Sequence, residues 1–340
     1  MAVVKSNAYG HGVKAISLEA VRNGADYLAV ARLSEGIELR KEGIGHPTLV
    51  CELVPSMHVE RAILEDLDLT VSELESPKHI NGVAERMKRK AKAHVKVDTG
   101  MGRLGLDYRT AAECIESIAR LRSLDLVGVY SHFANAEDTD QTFAREQLER
   151  FNRVLEDVRK RRVEIPIRHM ANSGAILTLP ESHFDMVRPG IMLYGYTPRP
   201  DMSAKDQLRP VMSVLSKVAF LKTVDANTSV SYGRRYFTPS TTTIATIPIG
   251  YGDGYSRSLT GKSEVLIRGQ RYPSVGTICM DHLMVNIGNN NSISVDDDVV
   301  LIGRDGSELI TAWDIAQKLG TIPYEVTCLI TPRVPRVYVG

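Results

Sequence analysis

The stretch H-V-K-V-D-T-G-M-G-R-L-G-L-D-Y-R-T-A-A-E-C-I-E-S-I-A-R-L-R-S-L-D-L-V-G-V-Y-S-H, residues 94–132, contains one complete strand–helix–strand unit. His94 to Asp98 sets valines between polar side chains, the period of two that a strand needs. Ala111 to Leu121 changes to a helical period, and Leu126 to His132 is again apolar and rich in β-branched residues. Two strands separated by a helix cannot form a hairpin, so they pair in parallel through a crossover.

The same rhythm extends in both directions. Upstream, strands are expected near Ala2 to Lys5, Tyr27 to Ala31, Pro47 to Leu53 and Leu69 to Ser72; downstream, near Ile167 to Ala171 and Met186 to Arg188. The stretch Gln141 to Lys160 places Phe143, Leu148, Phe151, Val154, Leu155 and Val158 on one helical face. About eight strands with crossover helices in roughly 200 residues predict an α/β fold, a (β/α)8 barrel, because right-handed crossovers repeated in one direction close the sheet on itself. An open doubly wound sheet is the alternative. From about Val211 the helical period fades, and strands such as Ser213 to Val224, Thr243 to Ile249, Glu264 to Ile267 and Val299 to Ile302 are joined by Gly, Asn and Asp turns. Only Ala312 to Leu319 reads as a helix there. The expected division is a barrel over 1–208 and a mostly antiparallel β domain over 209–340, with a soft boundary near Arg209 and Pro210.

Composition narrows the function. The 340 residues carry 42 basic and 41 acidic side chains, a net charge of +1, so no polyanion such as nucleic acid is an expected partner. Cys51, Cys114, Cys279 and Cys328 lie in separate segments without C-x-x-C spacing, which reads as reduced thiols in a cytoplasmic protein. No apolar run is long enough to span a membrane. His11, His58, His79, His94, His169, His183 and His282 show no metal-ligand spacing and read as surface or hydrogen-bonded core residues, so no metal is expected.

A barrel works at the C-terminal ends of its strands. Lys5, Lys96 with Asp98, His132, Asn172 with Ser173, and Arg188 fall at five of the eight predicted strand ends, facing one mouth. A lysine desolvated in such a mouth favours its neutral amine, a nucleophile able to form a Schiff base. The loops after strands seven and eight, Asn172-Ser173-Gly174 and Arg188-Pro189-Gly190-Ile191, stand where barrels hold phosphate on backbone N–H groups. Schiff-base lysine and phosphate cradle together point to pyridoxal 5′-phosphate, or to an aldolase acting on a phosphorylated sugar.

Several blocks carry a resemblance. A-V-V-K-S-N-A-Y-G-H-G (Ala2 to Gly12) and K-V-D-T-G-M-G-R-L-G (Lys96 to Gly105) are followed by S-H-F-A from Ser131, N-S from Asn172 and V-R-P-G-I-M-L-Y-G from Val187. S-Y-G from Ser231, I-P-I-G-Y-G-D-G-Y from Ile247, G-T-I-C-M-D from Gly276, Y-E-V-T-C from Tyr324 and R-V-P-R from Arg333 complete the set. In this order the blocks resemble the alanine racemase family over essentially the whole chain. That resemblance implies a fold-type III pyridoxal-phosphate enzyme interconverting L- and D-alanine, either supplying D-alanine for cell-wall peptidoglycan or degrading it. It implies that Lys5 holds the cofactor and serves as one acid/base, with Tyr232, from the second subunit of a homodimer, as the other. By the same likeness, Tyr9, Ser173, Gly190, Ile191 and Tyr324 cradle the phosphate beside Asn172. His132 bonds the tyrosine or lies beside the ring, Arg188 faces the pyridine nitrogen, Arg103 and Met280 serve the substrate side, and Lys96 is a lysine that becomes carbamylated.

The chain departs from the family in that members usually carry a few dozen residues before the cofactor lysine. The expectation is a start set too late in the gene, the alternative being a member that closes its barrel without that segment. Ser6 and Gly252, where alanine is commoner, and Glu137 affect tuning. Three other functions share parts of the pattern. A pyridoxal-phosphate carrier lacks the second domain and Tyr232. A decarboxylase of basic amino acids would set an acidic group where Arg188 stands. A serine racemase differs in a few pocket side chains only.

Overall fold

The computed structural model describes residues 1–339. The chain forms two compact units, Met1–Ala8 with Gly12–Leu208, and Tyr9–His11 with the residues from Arg209 onward.

The first unit is a curled parallel sheet. Its strands are β1 (Ala2–Val3), β2 (Leu28–Val30), β3 (Thr48–Val50), β4 (Asp68–Val71), β5 (Ala91–Asp98), β6 (Leu106–Asp107), β7 (Leu124–Tyr130) and β8 (Ile167–His169). They pair in the order β1-β2-β3-β4-β5-β7-β8, with β6 a short spur on β5. The segment read from sequence as an eighth barrel strand, Met186 to Arg188, makes only an isolated bridge from Met186 to His169. Pro189 explains this: it has no N–H to extend a ladder, and it restricts the residue before it. The ring closes all the same, because Arg188 N donates to Ala171 O at 2.9 Å and Val3 N donates to Pro189 O at 3.1 Å.

Strand alternation divides the barrel's chemistry. Leu69, Val71, Val95, Val97 and Val129 point outward into the core under the helices, where Ile115, Ile118, Phe151 and Val154 are buried. The alternate positions Asp68, Thr70, His94, Lys96 and His169 are also buried and point inward, where they meet an apolar cluster of Met1, Ala29, Leu49 and Tyr130 from the other strands. The helix Thr142–Lys160 buries Phe151 completely, edge-on to Phe184 at 5.4 Å.

The second unit is antiparallel. It comprises β9 (Val214–Lys217), β10 (Phe220–Val224), β11 (Ser229–Val230), β12 (Tyr236–Phe237), β13 (Thr242–Ile247), β14 (Glu264–Ile267), β15 (Gln270–Val275), β16 (Leu283–Gly288), β17 (Asp298–Asp305) and β18 (Glu308–Ile310). The large sheet runs β10-β13-β16-β15-β14-β17-β18 with β9 added to β17, while β11 and β12 form a separate ribbon. Ser213 to Val224, read as one strand, is two: β9 pairs with β17 and β10 with β13. The helix Ala312–Leu319 lies where the periodicity put it, capped by Thr311 and ended by Gly320 at φ 71°. A second helix, Pro323–Leu329, was not read from the sequence; seven residues opened by a proline give too little period to register.

Phe151→Ala should destabilise the first unit by about 3–5 kcal/mol, the range for emptying a fully buried aromatic site. Arg153→Ala, which breaks an exposed ion pair with Glu149 on the same helix, should change stability by under about 1 kcal/mol. Urea unfolding followed by far-UV circular dichroism distinguishes the two.

Candidate active site

The loop after β1 leaves the strand abruptly. Ser6, Asn7, Ala8 and Tyr9 all have positive φ, at 54°, 53°, 52° and 53°, which is a turn of left-handed helix built without glycine. This conformation costs roughly 1–2 kcal/mol per residue, so other contacts must hold it. Glu35 supplies one, its Oε1 accepting from Ser6 N at 2.6 Å; Asn7 supplies another, its Oδ1 accepting from Val13 N at 2.8 Å. Lys5 therefore stands just beyond the strand, half-buried, at the start of a strained turn instead of ending the strand as expected.

Arg188 is 5% exposed, and its guanidinium makes four hydrogen bonds. Its Nη2 donates to Ser131 O at 2.6 Å, Met170 O at 3.0 Å and His132 Nδ1 at 3.1 Å. Its Nη1 donates to His169 Nδ1 at 2.9 Å. Tyr130 lies against the guanidinium, 5.3 Å from the ring centroid. Among the described residues, no hydrogen bond or ion pair uses Arg188 Nε–H, which leaves a donor for something else.

Lys5, Lys96, Arg103 and Arg188 act together on His132. Enclosure first, and then these four cations, hold His132 well below the ordinary imidazole range. None of the four forms a direct ion pair among the described residues, so the mouth carries concentrated positive charge with carboxylates only at a distance, as Asp98 is from Lys96. Lys96 lies 5.5 Å from the Tyr130 ring centroid; burial, reinforced by Arg103, lowers its amine from 10.5 to about 8. The loop that carries Arg103 is held by Asp98, whose Oδ1 accepts from Gly100 N at 2.9 Å and Gly102 N at 3.1 Å. Gly105 is obligatory there: at φ 139°, a Cβ would sit 2.4 Å from Asp98 N.

The two loops read as a phosphate cradle are joined. Asn172 caps the helix Ser173–Thr178 by accepting from Ala175 N at 3.0 Å. The Ser173 hydroxyl oxygen accepts from Gly190 N at 2.9 Å, next to Ile191 at the start of a 3-10 turn, so its own hydrogen remains free to donate.

In the second unit, Tyr9 and Tyr324 lie 6.0 Å apart, with their rings inclined at 46°. The segment Tyr9–His11 is held by residues late in the chain: Arg336 donates to Gly10 O through Nη2 at 2.9 Å, and the Tyr338 hydroxyl donates to His11 O at 3.1 Å. Tyr232 is 72% exposed and borders a hollow of about 420 Å³ with Ser231, Cys279, His282 and Met284. Ser231 at φ 68° and Gly233 at φ 73° force its backbone into a tight turn, which Thr277 anchors by donating to Tyr232 O at 2.8 Å. Met280, 52% exposed, follows in the same loop.

The first unit thus gathers Lys5, Lys96, Arg103, His132 and Arg188 electrostatically, and Asn172, Ser173, Gly190 and Ile191 through hydrogen bonds. The second gathers Tyr9 with Tyr324, and Tyr232 with the loop of Met280. Sequence reasoning missed Asp68, His94, His169 and Tyr130 as parts of the site. The signal available was their period-two placement inside apolar strands.

If Lys96 is charged in the unfolded chain up to about pH 10.5 but in the folded protein only up to about pH 8, folding must discharge it or confine it. Below pH 8 this costs on the order of 3 kcal/mol, and the cost fades as pH rises through the interval. Lys96→Met should therefore raise the thermal midpoint in bicarbonate-free buffer at neutral pH, with the advantage shrinking toward pH 10; calorimetry across pH checks this.

Comparisons with known proteins agree over the whole chain. The alanine racemase N-terminal domain model matches residues 1–198 and the C-terminal domain model residues 211–338. "Alanine racemase 2" of Caldanaerobacter subterraneus subsp. tengcongensis is 46% identical over 340 residues, 100% of this chain and 88% of that protein. The alanine racemase structure from Clostridium difficile 630 superposes with a TM-score of 0.93 at 39% identity, covering 98% of this chain and 87% of that one. The Bacillus anthracis alanine racemase structure with bound L-Ala-P has a TM-score of 0.90 at 36% identity, over 100% and 88% of the two chains. With family models matching both units and a relative 46% identical over the whole of this chain, the chain belongs to the alanine racemase family.

Proposed function

We propose that this protein interconverts L- and D-alanine using pyridoxal 5′-phosphate, with active sites shared across a homodimer. The observation that carries the reading is the cationic mouth: Lys5, Lys96, Arg103 and Arg188 converge on His132, and none of them is in a direct ion pair among the described residues. The donor set fits an anionic, phosphorylated heteroaromatic ligand. Lys5 offers an amine, Ser173 and the backbone of Gly190 and Ile191 offer phosphate donors, and Arg188 keeps Nε–H for a ring nitrogen. Tyr9 and Tyr324 are the further phosphate contacts on this reading, and Asn172 shapes the loop.

When bound, this cofactor supplies an electron sink for the substrate Cα. The chain's own residues do the rest. Lys5 Nζ holds the cofactor and exchanges the Cα proton on one face, and the Tyr232 hydroxyl of the second subunit exchanges it on the other, since inversion needs an acid/base on each side. Tyr232, 72% exposed beside a hollow, suits a group that serves another chain. Arg188 cannot surrender a proton near neutrality, so it donates to the ring nitrogen without protonating it, and electron withdrawal stays weak enough to disfavour side reactions. His132 Nδ1 accepts from Arg188, which leaves its Nε2–H to orient a neighbour. Arg103 and Met280 serve the substrate side. Lys96, with its amine near pH 8, would in its neutral form bond through Nζ to carbon dioxide and release a proton to solvent, leaving a carbamate anion beside Arg103. The domain division is 1–208 for the cofactor barrel and 209–340 for the unit that completes the partner's site. The same reading places the enzyme in the cytoplasm, which the scattered cysteines support; no helix among the described residues is long and apolar enough to cross a membrane. D-alanine made or removed here connects to cell-wall peptidoglycan.

Lys5→Ala should abolish racemisation in both directions, and Tyr232→Phe should impair it strongly. Verified heterodimers of the two variants should recover toward half of the wild-type rate, because one of their two sites contains both intact residues. Activity retained by Lys5→Ala would sink the reading, and a heterodimer without recovery would sink the shared site.

A further inference from the structure

Arg188 is one end of a buried chain that crosses the barrel interior. Arg188 Nη1 reaches His169 Nδ1 at 2.9 Å, His169 Nε2 lies 3.0 Å from His94 Nδ1, His94 Nε2 lies 3.3 Å from Asp68 Oδ2, and the Tyr27 hydroxyl donates to the same Asp68 oxygen at 2.5 Å. Asp68 is 1% exposed, and both histidines are fully buried. The cavity is shaped for the imidazole pair. Tyr130 stacks on His169 at 4.8 Å with an 8° inclination, and a Cβ at Gly128 would meet His94 Nδ1 at 2.6 Å.

The donors and acceptors admit one arrangement. A guanidinium only donates, so His169 Nδ1 must carry a lone pair and its Nε2 the hydrogen. His94 Nδ1 must then accept, and His94 Nε2–H must donate to Asp68. Neither ring can take a second proton without setting two hydrogens against each other. The chain is therefore a polarised wire with a cation at one end and its balancing carboxylate three links away.

We propose that Asp68, acting through His94 and His169, is a positioning residue for Arg188: the wire holds the guanidinium in one orientation and keeps its counter-charge away from the mouth. A carboxylate beside Arg188 would compete for the donor that faces the mouth; a carboxylate at the far end of two neutral rings balances the charge and leaves that donor free. The proposal rests on the reading of Arg188 above only for what the donor meets, since the wire is a property of this chain alone.

The test is nuclear magnetic resonance of the purified enzyme, selectively labelled with 15N-histidine and 15N-arginine. His94 and His169 should both appear as the Nε2–H tautomer, and His169, which burial holds well below the ordinary imidazole range, should stay unchanged from about pH 5 to pH 8. Asp68→Asn retains the accepting oxygen but removes the charge, so the His94 Nε2–H resonance should move upfield, with smaller shifts in the same direction at His169 and at the Arg188 side chain. Tyr27→Phe removes a donor from Asp68 and makes the carboxylate a stronger acceptor, so it should move the same resonances downfield; it also serves if Asp68→Asn does not fold. In racemisation assays Asp68→Asn should lower kcat about tenfold while KM for alanine stays within about twofold. A titrating His169, an Nδ1–H tautomer on either ring, or shifts confined to His94 would overturn the proposal. Correct resonances in a protein that does not racemise alanine would leave the wire standing and remove the assigned function instead.

Discussion

A guanidinium buried without a carboxylate beside it is the constraint on which this barrel depends. Such a charge is tolerable only when its hydrogens are matched and its field is balanced. Matching takes acceptors from several strand ends at once: the carbonyls of Ser131 and Met170, and the rings of His132 and His169. Arg188 thus ties together the ends of β7 and β8 and the irregular segment that closes the ring. It also dictates what fills the barrel. Wholly apolar layers would leave the charge unbalanced, so inward positions of β4, β5 and β8 carry Asp68, Thr70, His94 and His169, while Ala29 and Leu49 of β2 and β3 supply an apolar patch beside them. The Thr70 hydroxyl donates to Val50 O at 2.7 Å and lies 2.9 Å from the Tyr130 hydroxyl, extending the satisfied polar column sideways.

Around that fixed cation the mouth is adjustable. Lys96 changes charge near pH 8, and the turn bearing Lys5 is held in an unfavourable backbone region by Glu35 and Asn7. Strain of this kind persists where the surroundings over-determine the geometry, and it clusters where function needs a side chain aimed. Rigid charge at the centre and strained or titratable groups at the edge divide the work between orientation and chemistry.

Much of the barrel was legible in the sequence because strands buried on the helix side advertise themselves as valine and leucine at alternate positions, as in Leu69-Thr70-Val71 and His94-Val95-Lys96-Val97. The rim residues were legible because each follows such a run. The left-handed turn was not: Ser-Asn-Ala-Tyr has ordinary side chains, and handedness leaves no mark on hydrophobic period. The polar column was read as isolated residues, since each strand contributes only one or two of its members, and only folding brings Asp68, His94 and His169 into line. The helix Pro323–Leu329 escaped for want of length, although it carries Tyr324.

The clasp on Tyr9–His11 bears on how the protein is made. Arg336 offers hydrogen bonds to Gly10 O and to the carbonyls of Ile330, Thr331 and Val334, so segments more than 300 residues apart share one side chain. Gly10 cannot be replaced there, since a Cβ would come within 2.1 Å of Thr327 O. At ribosomal speeds of about 5–20 residues per second, Gly10 waits on the order of half a minute for its partner to be synthesised. During that interval the barrel strands can pair in order as they emerge, and Glu35 and Asn7 can hold the turn after Lys5, but Gly10 and His11 still lack Arg336 and Tyr338. The nascent chain therefore acquires its strands vectorially and this clasp last, so a ribosome that stalls before Arg336 leaves the segment Tyr9–His11 unclasped.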